Sequence, residues 1–350
     1  EKYIDALIGP QSYHQFNKIL LDIEKNNKKT NFTEFDVVEK FDTLNNLKVS
    51  DGKVSTFVTI QEGCDKFCNF CVVPYTRGAE FSRSIEEIKE ECTALVSNGT
   101  REITLLGQNV NAYSYQNEKL SDLIKKISNI KDLKRIRYTT SHPVDFSNDL
   151  MNIYKDQNKL MPLIHLPVQS GSNKVLRNMN RKHTKEDYLN IIYKLKKINS
   201  SVNFSSDFII GYPGETDKDF NDTLELVKEV KFINSYSFIY SPRPGTPAAK
   251  MKQVEKEVAK ERLIIFQKLS NEIKMNFRKK FFKKKTLVLF ENNTKNRNEF
   301  FGRDEYLNSV IVKSSEDLKG KIKEVTISKG NPTTLFGEIN QKIDEKVFAA

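Results

Sequence analysis

The sequence predicts an α/β fold, an open six-stranded β/α barrel, followed by a small all-β barrel of oligonucleotide-binding type. Three observations carry this. From Val54 onward, short strand-like runs alternate with stretches of helical spacing, the pattern of parallel βα units. Each run ends in polar text rich in glycine, proline or amides, on the face where parallel α/β folds place their ligands. Past Lys285 the helical period gives way to a quick succession of short strands.

In order, the core strands are expected at residues 56–60, 102–106, 135–139, 163–167, 203–210 and 235–240. Helical spacing fills residues 84–96, 121–130, 184–198 and 217–230. Six units are too few for a closed eight-stranded barrel, so the barrel is expected to stay open. The polar strand ends are Gln61-Glu62-Gly63, Gly107-Gln108-Asn109, Ser141-His142-Pro143, Gln169-Ser170-Gly171, Gly211 to Glu215, and Ser241 to Gly245. A long helix after Gln253 runs into a basic segment, where seven of the fifteen residues 271–285 are Lys or Arg. The tail strands fall at residues 286–290, 299–301, 309–313, 321–327 and 335–339. These patterns divide the chain into residues 1–49, an N-terminal remnant plus linker with a helix over 11–23; a core, 50–282; a small barrel, 283–342; and a tail, 343–350.

Composition narrows the class of function. Of 350 residues, 57 are Lys or Arg and 46 Asp or Glu, a formal charge of +11 that suits a polyanion such as RNA. An equally available reading is the Lys, Asn and Ile bias of an AT-rich genome. No run approaches the roughly 18 apolar residues of a membrane span, so no membrane role is expected. Three of the four cysteines sit within eight residues, which is not how a disulfide framework spaces them. The compartment is therefore expected to be reducing, the cytoplasm.

Cys64, Cys68 and Cys71 follow the first strand directly, and thiolates so placed on one loop can share a metal centre. Structural zinc wants four ligands, and no fourth stands nearby: Cys92 lies in a helical pattern with Ile88 and Leu95. Three thiolates on a four-iron cluster leave one iron open for a small cofactor, and this is the favoured reading.

The C-x-x-x-C-x-x-C spacing with Phe70 before the last cysteine resembles the radical S-adenosylmethionine (SAM) superfamily. The text from Gln61 to Gly78 is similar to its methylthiotransferase family. The likeness extends to Leu105–Asn111, His165–Ser172, Ser206–Thr216 and Ser241–Ala249, and covers residues 50–340. It is strongest to the branch that thiomethylates isopentenyladenosine beside the tRNA anticodon, ahead of the threonylcarbamoyladenosine and ribosomal-protein branches. A non-catalytic RNA-binding protein with a structural cluster is the rival from another class. The resemblance implies a partial barrel of radical SAM type, a TRAM-type RNA-binding tail and a 4Fe-4S cluster with an open iron. It implies S-adenosyl-L-methionine as cofactor, a deoxyadenosyl radical that takes hydrogen from the adenine ring, and a second SAM that gives the methyl group.

By the same likeness, Gly107, Gln108 and Asn109 would meet the methionyl part of SAM, while Gln169, Ser170, Ser206 and Asp207 would meet its ribose and adenine. Phe70 belongs to that cofactor set, and His142 and His165 are candidates to approach substrate. Arg77 and Arg83 would hold RNA phosphates or the cofactor carboxylate. Lys279, Lys280, Lys283, Lys284, Lys285 and Arg303 would supply charge to RNA, with Phe300, Phe301 and Tyr306 as stacking platforms; at least one of the two Phe is expected in the barrel core. Implied partners are a tRNA anticodon loop and a flavodoxin- or ferredoxin-type electron donor, the enzyme acting as a monomer. The family holds a second 4Fe-4S cluster on three N-terminal cysteines, and here only Cys92 remains beyond the triad. Residues 3–13 resemble the closing strand of that N-terminal domain, so the chain is expected to be a fragment that cleaves SAM without inserting sulfur.

Overall fold

The structure is a computed structural model that describes residues 4–9, 12–26, 30–32 and 52–339. The expected tail, 343–350, and most of the expected linker lie outside the described residues. At the N-terminus a strand, Ala6–Ile8, pairs in parallel with Thr30–Phe32 across the helix Phe16–Asn26.

The core strands are β1 (Ser55–Thr59), β2 (Glu102–Leu106), β3 (Arg135–Thr139), β4 (Leu163–His165), β5 (Asn203–Ile210) and β6 (Asn234–Ile239). All pair in parallel, in two sheets ordered β1-β2-β3 and β4-β5-β6. The sheets join where Ile136 donates its N–H to Lys159 O (2.7 Å) and accepts from Met161 N–H (3.0 Å). The wall is thus six strands with β1 and β6 as unpaired edges among the described residues, the open barrel expected. β4 stops two residues short of expectation because Pro167 has no N–H for the ladder.

Helices α1 (Ile85–Ser97), α2 (Leu120–Ser128), α3 (Asn148–Asp156), α4 (Lys185–Ile198) and α5 (Asp217–Val230) alternate with the strands. Side-chain oxygens of Ser84, Ser147, Thr184 and Thr216 cap four of them, which is why their starts are sharp. α3 went unread: only nine residues long, it buries Leu150, Met151, Ile153 and Tyr154 in one short face. The main core lies between sheet and helices, on Val58, Ile103, Leu105, Ile136, Phe204 and Phe208. Successive strand residues face opposite sides, so Thr104, Arg137, His165, Ser205 and Asp207 are left for the barrel lumen.

Helix α6 (Lys256–Lys279) ends six residues before the expected Lys285. Phe281 and Phe282 pack on the small barrel, and Lys283 turns the backbone at φ 60°. Strands β7 (Lys285–Asn293), β8 (Glu299–Arg303), β9 (Ser309–Lys313), β10 (Ile322–Gly330) and β11 (Thr334–Ile339) close in the order β7-β8-β9-β11-β10. This barrel is bolted beneath the amino ends of the core strands. Arg135, fully buried, donates to Arg303 O (2.8 Å) and Leu287 O (2.9 Å). Arg137 donates to Glu305 O (2.9 Å) and pairs with buried Glu102 (3.0 Å).

Candidate functional site

The cysteine loop rises from the carboxyl end of β1. Its neck is a two-residue antiparallel pairing of Gln61–Glu62 with Phe81–Ser82. Gly63 sits at φ 77°, and a Cβ there would lie 1.9 Å from Ala79 O, so only glycine fits. Its N–H donates to Gln108 Oε1 (2.8 Å), tying the loop to the end of β2. Cys71 N–H closes a turn on Cys68 O (2.9 Å). Asn69 docks the loop on its surroundings, donating to Asn178 O (2.7 Å) and Met179 O (3.0 Å) and accepting from Ala248 N–H. Phe70 packs with Val175, Met179, Tyr212, Tyr240 and Ala248 as the loop's apolar footing.

Buried Arg181 places Nη1 3.6 Å from Cys68 Sγ and donates through Nη2 to Pro167 O (2.5 Å). Sequence reasoning missed it. Burial, with the charges of Glu80, Cys68 and Cys71 behind it, pushes the Cys64 thiol up to about 11, and burial raises Cys71 too. Positive charge beside Cys64 and Cys71, as a metal centre provides, would favour their thiolates. Among the described residues no three His, Cys, Asp or Glu side chains converge to hold one metal ion. Cys68 and Cys71 are nevertheless near enough to raise Cys64. Three thiols on one short loop suit a multi-iron cluster, in which each thiolate takes a different iron.

Beside the loop, a Cβ on Gly107 would stand 2.6 Å from Gln61 Oε1, so its close approach serves Gln61. Gln61 donates to Gly63 O (2.8 Å) and accepts from Asn109 N–H (3.1 Å). Asn109 Nδ2 donates to Glu80 (2.9 Å) and Asp145 (2.8 Å), and Asp145 also pairs with Lys66 of the cysteine loop (2.8 Å). Gln169 holds φ 78°, its N–H on Asp207 O (3.0 Å) and its side-chain amide unengaged among the described residues. Asp207 lies 3.5 Å from His165 Nε2, and His165 Nδ1 meets Ser205 Oγ at 3.0 Å.

At this mouth, Asn109 Oδ1, Ser141 Oγ, His142 Nε2 and Arg181 Nε are buried without a hydrogen-bond partner among the described residues. Burial and the charges of Arg181 and His183 drive the His142 pKa far down, so the ring is neutral. Buried orphan donors and acceptors beside a three-thiol loop fit a polar, charged ligand held against a cluster.

Three expectations are corrected. Arg83 is 4% exposed and donates to Thr59 O (2.8 Å) and Glu91 (2.6 Å), so it bolts α1 to β1 rather than standing free at the surface. Ser206 faces outward with Phe204 and Phe208 and caps the Val168 N–H (2.9 Å). Ser170 is buried against Thr223 of α5 (3.2 Å) and braces the turn after β4. In the small barrel Phe300 is core, as expected of one of the pair, and Phe301 lies under the Arg303 guanidinium. Tyr306 is wedged between Phe277 and Phe281, with its hydroxyl on Ser201 O, and offers no platform. Lys279, Lys280, Lys283, Lys284 and Lys285 are all exposed; Lys285 pairs with Glu324, Arg303 with Glu291, and Arg77 stands 4.0 Å from Glu62.

Open barrel and cysteine loop together define a radical SAM core, and a model of the radical SAM superfamily matches residues 58–227. The tRNA-2-methylthio-N(6)-dimethylallyladenosine synthase of Pelagibacter ubique (strain HTCC1062) is 54% identical over 99% of this chain and 79% of its own length. That of Rickettsia conorii (strain ATCC VR-613 / Malish 7) is 46% identical over 96% and 77%. Coproporphyrinogen III oxidase from Escherichia coli, a solved structure, aligns at TM-score 0.49 and 15% identity over 81% of this chain and 75% of its own. The chain belongs to the tRNA-2-methylthio-N(6)-dimethylallyladenosine synthase family.

Proposed function

We propose that this protein carries out methylthiolation of carbon 2 of isopentenyladenosine at position 37, beside the tRNA anticodon. The observation that carries the reading is the three-thiol loop, braced by Gln108 and Gln61 at the carboxyl ends of β1 and β2, with buried unpaired polar atoms facing it. Cys64, Cys68 and Cys71 would hold a 4Fe-4S cluster. With S-adenosylmethionine on its open iron, that cluster supplies the electron and the radical chemistry. The chain's own part is to bind and orient. Asn109, Gln169 and Asp207 offer amide and carboxylate groups to the cofactor, and Gln108 and Phe70 set the loop's height and footing. Neutral His142, whose Nδ1 accepts from Val144 N–H (3.2 Å), carries its proton on Nε2 and can donate a hydrogen bond there without adding charge.

On this reading residues 50–282 form the catalytic core and 283–342 a TRAM-type RNA-binding module, presenting its lysines to the anticodon arm. A flavodoxin- or ferredoxin-type donor would supply the electron to a monomer in the cytoplasm. The test is anaerobic reconstitution followed by reduction with dithionite. A brown, iron-loaded protein that releases 5′-deoxyadenosine from SAM is expected, with both signals lost in Cys68→Ala. A zinc-loaded protein, or a cluster that survives Cys68→Ala, would overturn it.

A further inference from the structure

A chamber of about 680 Å³ lies in the lower lumen, between the core strands and the small barrel. None of the three loop cysteines lines it: its walls run from the amino-end residues Ser55, Glu102 and Leu163 up to Thr139 and His165, and Arg278, Arg303 and Asn308 close its floor. Two features of the wall bear on what the chamber could hold, although Tyr236 also meets the His165 ring edge-on at 5.8 Å. Phe57 on β1 and Tyr236 on β6, the two edge strands, stand on opposite lips of the open seam and are 68% and 53% exposed. Aromatic rings that exposed on the inner face of a barrel cost free energy in water unless something flat covers them. Phe238, one inward step above Tyr236, is 60% exposed and continues the same surface.

The second feature is charge. Lys274 of α6 lines the chamber, is half-buried, and has no acid in ion-pair range among the described residues. Arg278, one turn along, is fixed on Asn308 Oδ1 (3.1 Å) and Thr333 O (3.0 Å), and the charge of nearby Asp304 offsets part of its own, which leaves Lys274 as the cation without a counter-charge. The other cations here are matched, Arg137 by Glu102 and Arg303 by Glu291. Aromatic faces at one side and an unneutralised ammonium at the other form the pairing that recognises a base and its phosphate.

We propose that this chamber is a second nucleotide-binding site, which takes an unstacked nucleotide of the substrate RNA through the seam, its base between Phe57 and Tyr236 and its phosphate toward Lys274. This rests on the reading of the protein as a tRNA-modifying enzyme, and the test separates the two. Full-length chain, Phe57→Ala, Tyr236→Ala and Lys274→Ala are titrated with a prenylated anticodon stem-loop RNA and with AMP, across a salt series, after melting curves confirm folding. Both aromatic variants are expected to bind the stem-loop roughly 5- to 100-fold more weakly. Lys274→Ala should lower the slope of log affinity against log salt by about one. Parallel losses for AMP would show that a free nucleotide enters the same site; losses for RNA alone would show that the strand delivers it. Deoxyadenosine release from SAM without RNA should not change in Phe57→Ala or Lys274→Ala. Wild-type RNA affinity and salt slope in all three folded variants would overturn the chamber assignment, whereas a wild-type protein that binds no stem-loop would overturn the RNA reading itself.

Discussion

Replacing Arg181 by Met removes the only guanidinium that hydrogen-bonds a thiol of the cysteine loop among the described residues. The side chain is 5% exposed, 3.6 Å from Cys68 Sγ, and also satisfies Pro167 O. Loss of a hydrogen bond from a charged donor costs about 1.5–3 kcal/mol, so the apo protein should melt lower but still fold. The larger signal is electronic. A unit charge about 5 Å from the cluster edge, at an effective permittivity near 20, interacts by roughly 3 kcal/mol. For a one-electron couple that corresponds to on the order of 100 mV. The positive charge favours the reduced, more negative cluster, so Arg181→Met should lower the reduction potential, and Arg181→Lys should fall between the two. Redox titration followed by electron paramagnetic resonance on reconstituted protein measures this, with iron content checked alongside. A potential unchanged from wild type in an iron-replete variant would refute the reasoning.

Gly107→Ala should drive a methyl group into Gln61 Oε1 and loosen the cysteine loop. Iron retained per chain should fall and stability drop by about 1–3 kcal/mol, and wild-type iron content with wild-type melting would count against it. For Asp219, burial raises its pKa, but hydrogen bonds from Thr216 and Ser172 outweigh that and hold the carboxyl well below 3.8. Its stabilisation is therefore present above 3.8 and lost as pH falls below that value; Asp219→Asn should cost about 1–3 kcal/mol at pH 7 and flatten the acid limb of the apo protein's stability curve. Cys92 is fully buried, and burial pushes its thiol up to about 12. It should resist iodoacetamide in the native protein and react on unfolding, and rapid native alkylation at Cys92 by mass spectrometry would contradict its placement.

How much was legible depended on how local the signal is. Strands β2, β3 and β5 and helix α5 matched their expected bounds, because apolar runs and the Thr216–Asp219 capping box are written in adjacent residues. Ser206, expected to meet the cofactor's ribose or adenine, lies on the packed side of β5, and the signal for that was present. Phe204 and Phe208 share its parity, and two large apolar residues at even spacing mark the packed side, which leaves Ser205 and Asp207 for the lumen. Arg83 looked like a surface cation because nothing nearby names its partner: Glu91 is eight residues away, and the distance closes only when α1 folds back on β1. Arg181 meets Cys68 across 113 positions of sequence, a contact that topology alone creates.

Topology also sets the route an RNA must take. β3 begins at Arg135, which grips the small barrel, and ends at Thr139, just below the mouth where His142 and Asn109 lie. At about 3.3 Å per residue its five residues separate those levels by roughly 16 Å. Lysines of the 279–285 segment are therefore at the opposite end of the barrel from the cysteine loop. A strand that touches both must pass along the wall, and among the described residues the gap between β1 and β6 is the side where the sheet offers no ladder to cross. Phe57, Tyr236 and Phe238 flank that gap. The basic segment can then contribute affinity and register but no chemistry, so neutralising Lys279, Lys280 and Lys283 together should weaken RNA binding and its salt dependence while leaving RNA-free SAM cleavage intact.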